Sequence, residues 1–178
     1  MSADLPPLDL PERLTDGDIV LDGHAPHDAV AHHAGEDAEM RRRFHGPRPA
    51  TLDEIRAAVQ RWVDALAAPA STRVYALRDS AGVLMGGAEA RRTGEVSADV
   101  SYWVYPAFRG AGLTARALAL LVPAPGRAGI ATVETHIDPD NLASRRSAER
   151  AGFAEVGLVT ETEWTGEVVT RVRYVRTA

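Results

Sequence analysis

Phe108-Arg109-Gly110-Ala111-Gly112-Leu113-Thr114 joins a turn carrying two glycines to the start of an apolar helix. Such a turn aims successive backbone N–H groups at one point, and the helix dipole adds about 0.3–1 kcal/mol per exposed charge. The segment therefore suits an anion such as a pyrophosphate. Several N–H bonds to a doubly charged group add more. The glycines permit close backbone approach, and Arg109 can screen a phosphate from the side. The same two glycines also fit a plain strand-to-helix turn. No Gly-Lys-Ser/Thr follows, which excludes a P-loop, and the spacing does not match G-x-G-x-x-G.

A second segment runs from Asp138-Pro139-Asp140-Asn141 through Ser144 to Gly152-Phe153. Asn141 stands where a strand gives way to a helix, and Ser144 lies one turn along on the same side. Both can face a cleft where two strands diverge. In isolation an N-cap asparagine and an ordinary helical serine are the better explanation of them.

The elements that must position these residues follow from periodicity and punctuation. Asp18–Leu21 reads as a first strand, and 25–33 and 36–44 as two short helical pieces. Thr51–Leu66 is the clearest helix: Thr51 and Glu54 form a capping box, and Ile55, Val59, Trp62, Val63 and Leu66 share a face. Arg73–Arg78 and Val83–Arg91 are strands joined by a hairpin turn at 79–82. Val96–Tyr105 is a third strand, ended by Pro106. A helix over 112–122 is expected to stop at Pro123, Pro125 and Gly126. Ala131–Asp138 is a strand, Asn141 caps a helix that ends at Gly152, and 153–160 with 168–174 close the sheet as a hairpin. The class is α+β, with a mixed, mostly antiparallel sheet flanked by helices. Residues 1–16, with Pro6, Pro7 and Pro11, are expected to be an arm, mobile or ordered on contact, ahead of one domain over 17–178.

Composition narrows the function classes. The 178 residues fit one sizeable core. There is no cysteine, which removes disulfides, zinc-thiolate sites and a cysteine nucleophile. No metal ligand set is expected: His24, His27, His32 and His33 read as surface or helix-face residues. All 20 basic residues are arginine, and with many alanines this suggests a GC-rich bacterial genome. The net charge of -5 argues against a nucleic-acid partner and favours a cationic one. No run of about 18 apolar residues and no signal-like N-terminus is present. A membrane partner is therefore not expected, and the expected location is the cytoplasm.

Taken together, a strand, an Arg-Gly-x-Gly turn and a helix, followed about thirty residues on by Asn-x-x-Ser and Gly-Phe, resemble the GNAT N-acetyltransferase superfamily and, within it, the RimJ/RimL type. SYWVYPAFRGAGLTARAL resembles the acetyl-CoA motif and NLASRRSAERAGF the second motif, with the likeness covering roughly 73–160. The resemblance implies that acetyl-CoA is the co-substrate. Its pyrophosphate would lie on the N–H groups of Arg109, Gly110, Ala111, Gly112, Leu113 and Thr114. Trp103, Val104 and Tyr105 would pair with the pantetheine arm and polarise the thioester carbonyl, an oxyanion role in which one donor is worth about 2.7–4 kcal/mol. Asn141 would hold the pantetheine, and Ser144 would protonate the departing thiolate. Thr114 stands where Gly or Ala is usual. Ala148 stands where many members carry a tyrosine acid, which moves that role onto Ser144.

The resemblance further implies a general base, and His136, Asp99 and Glu134 are the candidates. Glu134 and His136 share one face of their strand, and Asp99 shares a face with Ser101 and Trp103. An unperturbed histidine titrates near ~6.5, which suits proton removal at neutral pH. The acceptor is expected to be an amine. A protein N-terminus, pKa ~7.7, is neutral about one time in six at pH 7, a lysine-like amine only about once in 2500. A small antibiotic-like amine, a donor on an acyl carrier protein, or a non-catalytic acyl-CoA sensor are the rival readings, and a homodimer is compatible with the family. Gly35 to Glu39 is either an acidic lip for an amine or an acid-rich helix start.

Overall fold

The computed structural model describes residues 5–45, 48–67, 70–162 and 166–178. The first half runs β1 (Leu14–Thr15), β2 (Ile19–Gly23), α1 (Asp28–Gly35), α2 (Ala38–Met40), a π-helical turn (Arg41–His45) and α3 (Leu52–Leu66). Then come β3 (Thr72–Asp79), β4 (Leu84–Arg92), β5 (Ser97–Val104) and a 3-10 turn (Pro106–Phe108). The chain ends with α4 (Leu113–Leu121), α5 (Pro123–Arg127), β6 (Thr132–Ile137), α6 (Leu142–Arg150), β7 (Ala154–Thr162) and β8 (Val168–Thr177).

The strands form one sheet in the order β1-β2-β3-β4-β5-β6-β8-β7. Every neighbouring pair is antiparallel except β5 and β6. This is the mixed, mostly antiparallel α+β sheet expected from the pattern. The parallel pairing covers only Ser97–Asp99 against Thr132–Glu134. Beyond it β5 stays with β4 to Val104, while β6 stays with β8 to Ile137. The two central strands therefore part, and an open V forms between them.

Helices cover both faces. α1 and α3 pack over β2, β3 and β4, while α4 lies against β5, β1 and β2 and α6 against β6 and β7. Thr51 accepts from the Glu54 N–H at 3.3 Å and Glu54 accepts from the Thr51 N–H at 2.7 Å, the reciprocal cap that starts α3. Helix α4 buries Leu113, Ala117, Leu118 and Leu121, each large side chain worth about 1.5–3 kcal/mol on full burial. Helix α4 ends at Leu121, just before Pro123, as the sequence implied, and a further short helix, α5, starts on that proline. Pro123 sits at the first position of α5, where its missing N–H costs nothing, and Val122 still donates to the Leu118 carbonyl at 2.9 Å.

The proline-rich N-terminal segment touches the core where it is described. Leu8 and Leu10 are buried, the Leu8 N–H reaches the Ala70 carbonyl at 2.8 Å, and the Tyr75 hydroxyl donates to the Pro11 carbonyl at 2.7 Å. Arg78 on β3 ties that strand to its neighbours, donating to Asp22 at 2.9 Å and to both oxygens of Asp28 at 3.0 and 2.6 Å.

Candidate active site

The glycine turn takes the shape its residues require. Gly110 has φ +83° and Gly112 φ +71°, both in the left-handed region. Gly112 is the N-cap of α4 and brings no side chain to it. The first bond of this helix end runs from the Arg116 N–H to the Gly112 carbonyl at 3.3 Å. The N–H groups of Leu113, Thr114 and Ala115 are thus the open donors of the helix start, and Leu113 and Thr114 line a cavity of about 320 Å³. This is a fit for a pyrophosphate. A Cβ on Gly112 meets nothing within 4 Å, so a substitution there strains the backbone rather than clashing. Gly112→Val is expected to weaken CoA binding about tenfold, from a left-handed penalty of about 1–2 kcal/mol, measurable by titration calorimetry.

Arg109 is held differently from the expectation. Its guanidinium lies on Asp37 at 2.6 Å and near Glu39 at 3.6 Å, and its Nε donates to the Val104 carbonyl at 3.1 Å. It braces the turn against α2 and still borders the cavity. Asp37 also caps α2 through the Met40 N–H at 2.8 Å. The Arg109 hydrogen bond holds its carboxyl below the usual range. Asp37 and Glu39 are therefore a helix start and an arginine clamp, and the Glu36 side chain is buried beside His32 at 3.8 Å, so the segment is not a free lip.

The same cavity runs along the open edge of β5 to α6, bordered by Tyr102, Trp103, Val104, Asn141 and Ser144. The Tyr105 N–H is already given to the Met85 carbonyl at 2.9 Å. Because N–H directions alternate along a strand, Val104 rather than Trp103 or Tyr105 turns its N–H toward the V. Of the three expected carbonyl-polarising residues, Val104 alone has that orientation. The Asn141 side-chain oxygen accepts the Ser144 N–H at 3.2 Å, which makes it the helix cap; its amide N–H₂ has no partner among the described residues. Ser144 Oγ sits 2.8 Å from the Tyr102 hydroxyl.

Trp103 points to the opposite face, into an aromatic cluster. Its ring lies 6.0 Å from Trp62, 5.9 Å from His32 and 6.3 Å from Phe44. Gly87 permits this, since a Cβ there would lie 2.2 Å from the indole. His24 and His32, read from the sequence as surface or helix-face residues, are buried in the same cluster. His32 Nδ1 lies 2.7 Å from the Tyr105 hydroxyl. Aromatic packing on the sheet, which strand register decides, draws them inward. Among the described residues no group of metal-ligating side chains occurs.

A smaller cavity of about 100 Å³ adjoins the first, lined by Ser101, Thr135, His136 and Asp138 and sharing Arg43, Phe44, Tyr102, Asn141 and Ser144 with it. Of the three candidate bases His136 alone lines this cavity; Asp99 and Glu134 lie behind it, and the three differ in state. Glu134 is bound by Arg173 at 2.7 and 2.5 Å, and that arginine lowers its carboxyl below the ordinary value. It is an ion-pair partner rather than a free base. His136 Nδ1 lies 3.1 Å from Glu161 and 3.7 Å from Asp99, and its Nε2 lies 3.8 Å from Glu134. Burial pushes Asp99 up to about 6 against the pull of His136 and Arg91, with Glu161 and Glu89 adding to the rise. A carboxyl near 6 beside a histidine on a cavity wall is an arrangement that moves protons near neutrality.

Three contributors escaped the sequence reading. Glu161 reaches His136 from β7. Tyr102, a strand residue, lines both cavities. Arg43, on the π-helical turn, pairs with Asp138, which also pairs with Arg171, and reaches Asp140 at 3.3 Å. That knot holds the turn, the β6–α6 junction and β8 together over the smaller cavity. A run of three arginines gave no hint of it, because the partner lies 95 residues away.

Comparison with known proteins bears on the fold and the family. The family model "Acetyltransferase (GNAT) domain" matches residues 18–154. No curated protein sequence matches the chain. Among solved structures, RimJ of Mycobacterium smegmatis in complex with CoA-disulfide is similar, with TM-score 0.74 and 18% identity over 96% of this chain and 88% of that one. RimL, a ribosomal L7/L12 alpha-N-protein acetyltransferase in complex with coenzyme A, has TM-score 0.75 and 18% identity over 94% and 97%. The aminoglycoside acetyltransferase AAC(6')-Ib in complex with coenzyme A has TM-score 0.69 and 21% identity over 89% and 94%. At these identities the structures speak to the fold, and the family model, covering most of the length, speaks to membership: the chain belongs to the GNAT acetyltransferase family, enzymes whose co-substrate is acetyl-CoA.

Proposed function

We propose that the protein transfers an acetyl group from acetyl-CoA to a primary amine by direct attack, and that its acceptor is a peptide or protein N-terminus. The observation that carries this is the meeting of two cavities at Tyr102, Asn141 and Ser144, one floored by the phosphate turn and the other walled by His136. Thioester and amine can approach each other from the two adjoining cavities without a covalent enzyme intermediate.

His136 takes the proton of the attacking nitrogen, with Asp99 and Glu161 on its Nδ1 side to stabilise the imidazolium. The Val104 N–H faces the thioester oxygen and stabilises its developing charge. Asn141 holds the pantetheine with its free amide N–H₂. Ser144 faces the sulfur. An N-terminal amine of pKa ~7.7 needs far less help to lose its proton at neutral pH than a lysine-like amine at ~10.4, so a weak base suits the first better. The small cavity, about 100 Å³, fits one amine-bearing residue rather than a bulky ring.

A panel of short peptides with free N-termini, lysine side-chain peptides and aminoglycoside-type amines tests this. Thiol release and product mass are read together. N-acetylated peptides from the first group are expected. Product only from the ring amines would move the acceptor to small molecules, and tight CoA binding without any product would make the protein a sensor.

A further inference from the structure

We propose that Tyr102 is the positioning residue that makes Ser144 an acid for the leaving sulfur, holding its hydroxyl by a phenol-to-serine hydrogen bond and replacing the proton it gives away. The inference deepens the acetyl-transfer reading above and rests on it.

The geometry is specific. The Tyr102 hydroxyl lies 2.8 Å from Ser144 Oγ and 3.4 Å from the Ser144 carbonyl oxygen. Tyr102 projects from β5 at the V, where the strand leaves β6, and both it and Ser144 border the donor cavity and the acceptor cavity. Tyr102 also packs against the core, which fixes its ring. Burial pushes its phenol up to about 12, against the hydrogen bonds of Ser144 and Thr135. The phenol therefore keeps its proton at working pH and is available as a donor. With Tyr102 donating to Ser144 Oγ, the serine proton is free to point into the donor cavity. Hydrogen bonds in series also strengthen one another, so a serine that accepts a phenol bond is the better donor.

The step balances. The amine lone pair forms the C–N bond at the acyl carbon, and the C–S bond breaks with its pair on sulfur. Ser144 passes its proton to sulfur and takes one from Tyr102. Solvent returns a proton to Tyr102, and the proton lost from the nitrogen leaves through His136. Phenol, not serine, is thus the net acid, which avoids a serine alkoxide.

The test compares two donors on the whole chain, acetyl-CoA and its selenium analogue acetyl-selenocoenzyme A. A selenol is far more acidic than a thiol and departs without help. Tyr102→Phe is expected to lower kcat with the thioester about 10–100-fold and with the selenoester less than about threefold, donor KM unchanged. Ser144→Ala, at a half-buried helix position, must show the same thioester-selective loss, and the double variant must be no worse than Ser144→Ala alone, as for residues acting as a unit. Equal losses with both donors would assign Tyr102 a packing role and overturn the proposal, as would an unchanged kcat. If Tyr102→Phe does not fold, a Ser144→Ala loss that is equal for both donors overturns it instead. Absence of amide product from the unaltered protein would instead sink the transfer reading itself, so the two failures are distinct.

Discussion

Replacing His136 with Gln lowers kcat by about 10²–10³-fold while acetyl-CoA affinity stays within about twofold, because the substitution removes the proton acceptor and leaves the phosphate turn intact. His136 lines the acceptor cavity, whereas the donor cavity is bordered by other residues. The pH profile carries a second signature. Asp99 is raised to about 6 by burial, so it is neutral below that pH and His136 loses one of the three carboxyls around it. The profile of kcat/KM is expected to fall as the pH drops through about 6 and to level off above it. Asp99→Asn should move that limb and lower kcat about tenfold, less than the His136 change. Stability moves the other way. A carboxyl whose folded-state value is raised contributes most favourably below about pH 4 and loses that contribution as the pH rises through about 6. Asp99→Asn is therefore expected to raise Tm at pH 8 relative to the unaltered protein, and a lowered Tm would assign Asp99 a structural role.

Asp28→Ala is expected to destabilise the fold by about 3 kcal/mol, read as the loss of denaturation midpoint, since it leaves the half-buried Arg78 guanidinium without its main partner, Asp22 alone remaining. Asp28 is 2% exposed. Burial opposes its charge, but contacts from His24 and Arg78 and the Ala25 N–H outweigh that cost and hold its carboxyl well below the usual range. A lowered value contributes stability that is present above about pH 4 and is lost as the pH falls further. The unaltered protein should therefore lose stability steeply in acid, and the variant should lose less. Because Asp28 anchors α1 against β3, the variant should also loosen the aromatic cluster around Trp103, which tryptophan fluorescence would report.

What was legible in the sequence was what local chemistry decides. Gly112, Asn141 and the Thr51–Glu54 box each act within four residues of themselves, and each occupies the cap or turn its type demands. Strand boundaries followed from alternation, so Glu134 and His136 were placed on one face. The states of the candidate bases were not legible. That Arg173 ties up Glu134, that Glu161 reaches His136 and that Tyr102 meets Ser144 depend on register between strands and helices far apart in the chain. The inward turn of His24 and His32 is of the same kind, since the ring packing around Trp103 is set by which face of β5 it occupies. Proline at 123 stops α4 as read; that α5 restarts on it was not legible, because a first helical turn tolerates proline.

The account rests on one claim, that the cleft between β5, α4 and α6 binds an acyl-CoA through backbone donors of the glycine turn. Titration of acetyl-CoA into the purified protein, with Tm followed in parallel, measures it directly. One saturable site is predicted, with Tm rising by mass action as ligand exceeds Kd, and with Gly112→Val shifting the curve about tenfold to weaker binding. No heat and no Tm change with acetyl-CoA, with longer acyl-CoAs or with phosphopantetheine would contradict it.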